Sequence, residues 1–184
     1  MPRCPVACAS SAAGLIRLET PQDAPFVEAL NAASFGPGRF AKSAWRLREG
    51  VGPVPGLSFV AVEDGVLRGS VRFWPIMVGA QAELLLGPLA VESSQRGRGI
   101  GIALMQAGIA AAKDGPWRAI LLVGDEPYYA RAGFARLPPG QVVFPGPVDG
   151  NRLLSLPLKS GVVAGPVRRA RIDRPVCASG TAVG

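Results

Sequence analysis

The sequence predicts a mixed α/β domain (an α+β arrangement) with a mostly antiparallel central sheet flanked by helices. Three observations carry that expectation. Residues 57–62 and 66–77 alternate apolar and polar side chains on either side of Asp64-Gly65, the chemistry of a two-residue hairpin. Residues 82–91 are almost all apolar, as in a strand buried on both faces, and lead through a glycine-rich turn into an amphipathic helix over 100–113. After the stop Asp114-Gly115-Pro116, residues 118–123 form a second apolar strand.

The remaining elements follow in order. Residues 1–13 are small, Pro-containing and Ala/Ser-rich, and read as a tail. Residues 15–19 give a first short strand. Thr20 can cap a helix whose first turn holds Pro21 and Asp23 and whose apolar face is Phe26, Val27, Leu30 and Ala33. Gly36-Pro37-Gly38 breaks it, and 40–49, with Trp45 and Leu47, read as a second short helix. Gly87-Pro88 falls inside the apolar strand. Proline cannot donate to the ladder, so a bulge or splay is expected there. Asp125 starts a short helix that ends at Gly133. Residues 141–144 and 153–158 are two closing strands. The expected boundaries are a tail over 1–13, one domain over 14–165 and a basic tail over 166–184.

Composition excludes several kinds of chemistry. The 184 residues suit one domain, and 48% apolar with 18% charged residues is enough to bury a core. No window holds about 18 uninterrupted apolar residues, so no helical membrane span is expected. The chain has no histidine, which removes Ser-His-Asp hydrolysis and histidine-ligated zinc. Cys4, Cys8 and Cys177 are too few and too scattered for a disulfide framework or metal site, and are expected as free thiols in the cytoplasm. The N-terminus resembles a signal peptide only weakly, because Pro5, Ser10 and Ser11 interrupt its apolar stretch. A net charge of +7 suits either a nucleic acid or one anionic small ligand. The arginines are scattered and no aromatic RNA-binding motif accompanies them, so nucleic acid is the weaker reading.

Arg96-Gly97-Arg98-Gly99-Ile100-Gly101 lies between the apolar strand and the helix, where backbone N–H groups and a helix N-terminus bind phosphate. It matches neither the dinucleotide fingerprint nor the P-loop. It fits Arg-x-x-Gly-x-Gly. Tyr128 and Tyr129, the only tyrosines, fall one strand later. A tyrosine there can act as a general acid, or both rings can simply pack on Phe134, which is the expectation for Tyr128.

The strand 84–91 followed by Arg96-x-x-Gly99-x-Gly101-Ile102-x-Leu104-Met105, with Tyr129-Ala-Arg-Ala-Gly133-Phe134 some thirty residues on, resembles the GNAT-type N-acetyltransferase superfamily. The resemblance spans roughly 14–160. Residues 84–91, 122–129 and 144–149 further resemble a bacterial branch of predicted N-acetyltransferases. The resemblance implies the acyl-CoA N-acyltransferase fold, with two central strands splayed apart, and acetyl-CoA as donor without a metal. Arg96, Gly97, Arg98, Gly99, Ile100 and Gly101 would hold the pyrophosphate. Leu89, Ala90 and Val91 would pair with the pantetheine arm, with N–H groups near Leu89 polarising the thioester carbonyl. Tyr129 would protonate the leaving thiolate after direct attack by an amine. The general base stays open among Asp125, Glu83, Glu92 and water. The acceptor would be a small-molecule or peptide amine bound between 35–45 and 135–150, on a monomer or homodimer. Two other readings stand beside this one: a catalytically silent acyl-CoA-binding module, and a nucleic-acid-binding protein.

Overall fold

The Asp64-Gly65 turn sets the register of the first hairpin. Both residues have positive φ, 51° and 75°, as a type I′ turn requires. In this computed structural model, which describes residues 14–38 and 43–170, the turn joins strand β2 (Ser58–Glu63) to the long strand β3 (Val66–Val78). β1 (Leu15–Leu18) adds to the free edge of β2. Helix α1 (Ala24–Phe35) begins after a 3-10 turn at Pro21–Asp23. Of the second expected helix, Ser43–Arg46 is helical and labelled α2; 47–50 are turns, and 40–42 lie outside the described residues.

The remaining elements are β4 (Gln81–Val91), α3 (Ile100–Lys113), β5 (Ala119–Val123), α4 (Glu126–Tyr129), β6 (Ala135–Arg136), β7 (Val142–Val143), β8 (Leu153–Pro157) and β9 (Gly165–Arg169). The main sheet runs β1-β2-β3-β4-β5-β8-β6. Within it only β4 and β5 are parallel. The all-apolar run of β4 has its explanation in side-chain alternation. Leu84 and Leu86 enter the core beneath α3 with Phe73, Leu104, Met105, Ile120 and Leu154, whereas Leu85 enters the core on the opposite face with Ile76, Leu121, Phe144 and Val167. Gly108 lets α3 lie directly on the Phe73 ring; a Cβ there would collide with it.

β4 is irregular where proline predicts it. Val71 pairs with Leu89 but Phe73 pairs with Leu86, so Gly87 and Pro88 bulge from the ladder. On its other side β4 pairs with β5 only at Leu84 and Leu85. Beyond that the two strands part, leaving the edge of β4 from Leu86 to Val91 without a strand partner on that side. This opening positions the site.

The expected C-terminal boundary falls inside an element. Residues 166–169, read as the start of a basic tail, belong to β9 (Gly165–Arg169), which pairs with Ile76–Val78 of β3 and with β7. Val167 is buried there. Arg168 donates to the Gly79 carbonyl, and Arg169 donates to the Arg46 carbonyl and Glu49. One buried valine between Pro166 and Arg168 is too faint a strand signal to compete with a charge run. The N-terminal tail, the three cysteines and residues 171–184 lie outside the described residues.

Glu83 is 0% exposed. Its Oε2 accepts the Arg118 and Ala119 N–H groups at 2.9 and 2.7 Å, pinning the start of β5 to β4, and its Oε1 has no partner. Burial raises its pKa, against the two N–H bonds that lower it. A carboxyl whose pKa is raised by folding stabilises the fold below its unfolded pKa, and that contribution is lost as pH rises through the folded pKa. Glu83→Gln is therefore expected to melt at or above the parent at pH 8, with the difference vanishing near pH 4. A parent that outmelts the glutamine variant at pH 8 would mean that the two N–H groups favour the charged form.

Candidate functional site

Two clefts meet where β4 and β5 part. The first, about 290 Å³, lies along Leu89, Ala90 and Val91 and ends on the glycine turn, at Arg96, Gly97, Gly99, Ile100 and Gly101. Gly97 and Gly99 have φ of 83° and 84°, a conformation that favours glycine. A Cβ on either would meet nothing within 4 Å, so both border open space. The first helical bond of α3 is Ala103 N–H to the Gly99 carbonyl, 3.0 Å. The opening N–H groups of a helix have no intrahelical partner and attract anions. A bare backbone cradle at a helix start, beside an unpaired strand edge, fits a ligand with phosphates at one end and an amide-bearing arm.

Eight of the nine residues expected to bind the cofactor line this cleft. Arg98 does not: its guanidinium turns to Glu63, at 2.9 and 2.7 Å, and to Gln95. Glu63 ends β2 next to the hairpin turn, and sequence separation hid that carboxylate. Gln95, Ser34, Ile102 and Arg131 also line the cleft without having been anticipated, as does Phe35, which was expected beside an acceptor.

Tyr129 borders both clefts. Its ring packs edge-on against Phe134 and Tyr128, at centroid distances of 6.1 and 5.1 Å. Gly124, at the end of β5, leaves room for it, since a Cβ there would strike the ring. Burial is the first cause that pushes the Tyr129 pKa up to about 12, with Tyr128 and Asp125 adding to it and Arg152 and Arg48 opposing. The hydroxyl therefore keeps its proton at neutral pH. Tyr128, expected only to pack, forms part of the first cleft's wall, with its hydroxyl against Gly101.

The second cleft, about 320 Å³, opens on the other side of Leu89 and Tyr129. Phe35 and Trp45 border it from one side and Pro147, Val148 and Asp149 from the other, within the two segments expected around an acceptor. Arg48 and Arg152 complete it. Trp45 and Arg48, three residues apart at a helical turn, are the sequence signal that could have found this wall. None of the three carboxylates weighed as base lines either cleft. Glu83 holds β5, Glu92 is bonded to Arg68 at 2.6 Å, and Asp125, 78% exposed, pairs with Arg152 at 3.2 Å. The carboxylate that borders the second cleft is Asp149, which accepts the Asn151 N–H at 2.9 Å. Among the described residues no group of three or more Cys, Asp or Glu could hold a metal ion, and no helix is long and apolar enough to cross a membrane.

Comparison with known proteins agrees with this geometry. The model of the Acetyltransferase (GNAT) family matches residues 24–134, more than half of the chain. An uncharacterized N-acetyltransferase of Escherichia coli K12, YhbS, is 37% identical over 123 residues, covering 65% of this chain and 72% of its own length. The crystal structure of E. coli YhbS in complex with CoA superposes with a TM-score of 0.71 at 28% identity, over 91% of this chain and 93% of that one. A GNAT family acetyltransferase from Brucella melitensis in complex with acetyl-CoA gives 0.64 at 27% identity, over 84% and 94%. The splayed parallel pair, the glycine turn at the head of α3 and the matched span from α1 to Phe134 have one common explanation: the chain belongs to the GNAT acetyltransferase family.

Proposed function

We propose that the protein transfers the acetyl group of acetyl-CoA to a primary amine, on a small molecule or a peptide, by direct attack. The observation that carries this reading is the meeting of the two clefts at Leu89 and Tyr129. Two structural relatives hold CoA or acetyl-CoA, and the first cleft has the backbone cradle and the open strand edge that such a ligand needs.

Acetyl-CoA supplies the activated thioester. The N–H groups of Gly97, Gly99, Ile100 and Gly101 hold the pyrophosphate, with Arg96 adding charge. The β4 edge at Leu89–Val91 orders the pantetheine arm as an added strand. Backbone N–H near Leu89 polarises the carbonyl where negative charge develops. The amine nitrogen forms its bond to the carbonyl carbon, the C–S bond breaks with its electron pair left on sulfur, and Tyr129 gives its proton to that sulfur. The proton shed by nitrogen passes to water, from which Tyr129 is reprotonated. Water fills the base role because Glu83, Glu92 and Asp125 are held elsewhere.

Titration with acetyl-CoA, followed by a screen of amines, peptides and aminoglycosides for release of free thiol, tests the reading. Saturable binding and amine-dependent thiol release are expected. Tight binding with no amine-dependent release across the panel would leave an acyl-CoA-binding module instead.

A further inference from the structure

The second cleft contains an arginine with no counter-ion. Arg17, Arg68, Arg72, Arg98, Arg136, Arg152 and Arg169 each pair with a carboxylate. Among the described residues no carboxylate stands within ion-pair range of Arg48. Its Nε is sealed from solvent and makes no hydrogen bond. Burial lowers its pKa to about 10. The guanidinium carbon stands over two indole rings, 6.0 Å from the Trp45 centroid and 5.8 Å from that of Trp74. Its far end reaches the β4 bulge, where a Cβ on Gly87 would come within 3.0 Å of Nη2. The glycine thus makes room for the charge beside the splay.

Asp149, the carboxylate that shares the second cleft with Arg48, accepts the Asn151 N–H and makes no ion pair with the guanidinium. A hollow of about 190 Å³ on the other side of Arg48 is bordered by Glu28 and Glu49, but Glu28 pairs with Arg72 at 2.8 Å and Glu49 with Arg169 at 3.3 Å. Asn31 Oδ1 and Trp74 Nε1, from the same hollow, are also buried without partners. A largely enclosed cation with ring contacts but no carboxylate partner leaves much of its desolvation cost uncompensated. Polar groups left unsatisfied in a cleft are a common mark of a ligand position.

We propose that Arg48 binds a carboxylate on the acceptor, so that the protein's substrates are small amines that also carry an acid group. This rests on the reading of the second cleft as the acceptor site. The planar fork of a guanidinium matches a carboxylate in two parallel bonds, and the contacts with Trp45 and Trp74 limit its rotation. The carboxylate lies against Arg48 beside Gly87 and Pro88, and the amine points toward Leu89 and Tyr129, where the two clefts join. A cleft of about 320 Å³ is at the small end of ligand pockets, which favours a compact amino acid over a folded protein surface.

Trp45 and Trp74 flank the guanidinium, so tryptophan fluorescence reads binding without turnover. The probes are ω-amino acids from glycine to 6-aminohexanoate, each against its own amide, with 3-aminopropylphosphonate alongside. At the preferred length the acid is expected to bind about ten- to a hundredfold more tightly than its amide, the scale of a charged hydrogen-bonded pair. Arg48→Met is expected to abolish that preference and leave acetyl-CoA affinity within about twofold. Arg48→Lys is expected to retain part of the preference. The acid-to-amide ratio of the wild type decides the matter even if a variant fails to fold. Equal binding of acid and amide at every length overturns the inference, and so does preference for the phosphonate. Failure of acetyl-CoA to bind would instead overturn the acetyltransferase reading, and the carboxylate measurement would stand apart from it.

Discussion

Tyr129→Phe is expected to lower kcat by about a hundredfold or more while leaving acetyl-CoA affinity nearly unchanged, since general acid catalysis contributes roughly 10²–10⁴-fold. The substitution removes one oxygen. The ring keeps its edge contacts with Phe134 and Tyr128 and its place over Gly124. Burial holds the phenol pKa near about 12, so the proton is present throughout the practical pH range. The same burial raises the proton affinity of a departing thiolate in that cleft, which narrows the gap between donor and acceptor. Turnover should therefore rise with pH as the amine loses its proton, with no falling limb through pH 10. A falling limb between pH 9 and 10 would mean that the acid is another group. Tyr128→Phe distinguishes the two rings: its hydroxyl lies over Gly101 at the head of α3, so its loss should be felt in KM for acetyl-CoA and little in kcat. Near-normal turnover for Tyr129→Phe would remove it from the reaction.

The sequence made the sheet legible wherever local chemistry and tertiary position agree. Asp64-Gly65 is a hairpin turn on local grounds alone, and β2 and β3 follow from it. The unbroken apolar run of β4 announces burial on both faces, and Pro88 announces where pairing must fail. α3 was legible to its ends because glycines precede it and Asp114-Gly115-Pro116 stops it. β6 and β9 were not legible. Each is held by its neighbours: Ala135 and Arg136 by Ser155 and Leu154 of β8, and Arg168 and Arg169 by Met77 and Ile76 of β3. Strands of two to five residues that themselves contain arginine carry no periodic signal of their own.

The site divides along the same line. The bare backbone cradle at the head of α3 is a property of consecutive residues, and a string of glycines at a helix start displays it. The second cleft is assembled from α1, α2, the β4 bulge, the end of β5 and the loop before β8. Apart from Trp45 and Arg48 one helical turn apart, no local pattern marks such a place. Arg98 and Arg48 show the cost of reading charge without partners. Arg98, inside the motif, is neutralised by Glu63 from β2, whereas Arg48, outside every motif, lines the second cleft with no carboxylate in ion-pair range among the described residues. Which cation is available is decided by the fold.

Gly99→Val is expected to abolish acetyl-CoA binding, by more than about a hundredfold, while the protein still folds. Two effects act at this residue and they separate by ligand. The first is backbone strain: φ is 84°, and a β-branched residue held there costs on the order of 1–3 kcal/mol, which lowers the melting temperature whatever is bound. The second concerns the ligand alone. Nothing within 4 Å meets a Cβ at Gly99, so in the free protein the new side chain projects into the open cleft without a clash. With acetyl-CoA the same space is needed for the pyrophosphate to approach the α3 N–H groups, each such charge-assisted bond contributing about 1.5–3 kcal/mol. Acetylpantetheine, which has the arm and thioester but no phosphate, should bind the variant about as well as it binds the parent. Gly99→Asn sharpens the comparison, because asparagine tolerates positive φ: it should recover most of the lost melting temperature and little of the lost affinity. Equal weakening of acetyl-CoA and acetylpantetheine would show that strain spreads into β4 and that the pyrophosphate lies elsewhere. Recovery of affinity by the asparagine variant would make the conformation of the turn, and not the space above it, the source of binding.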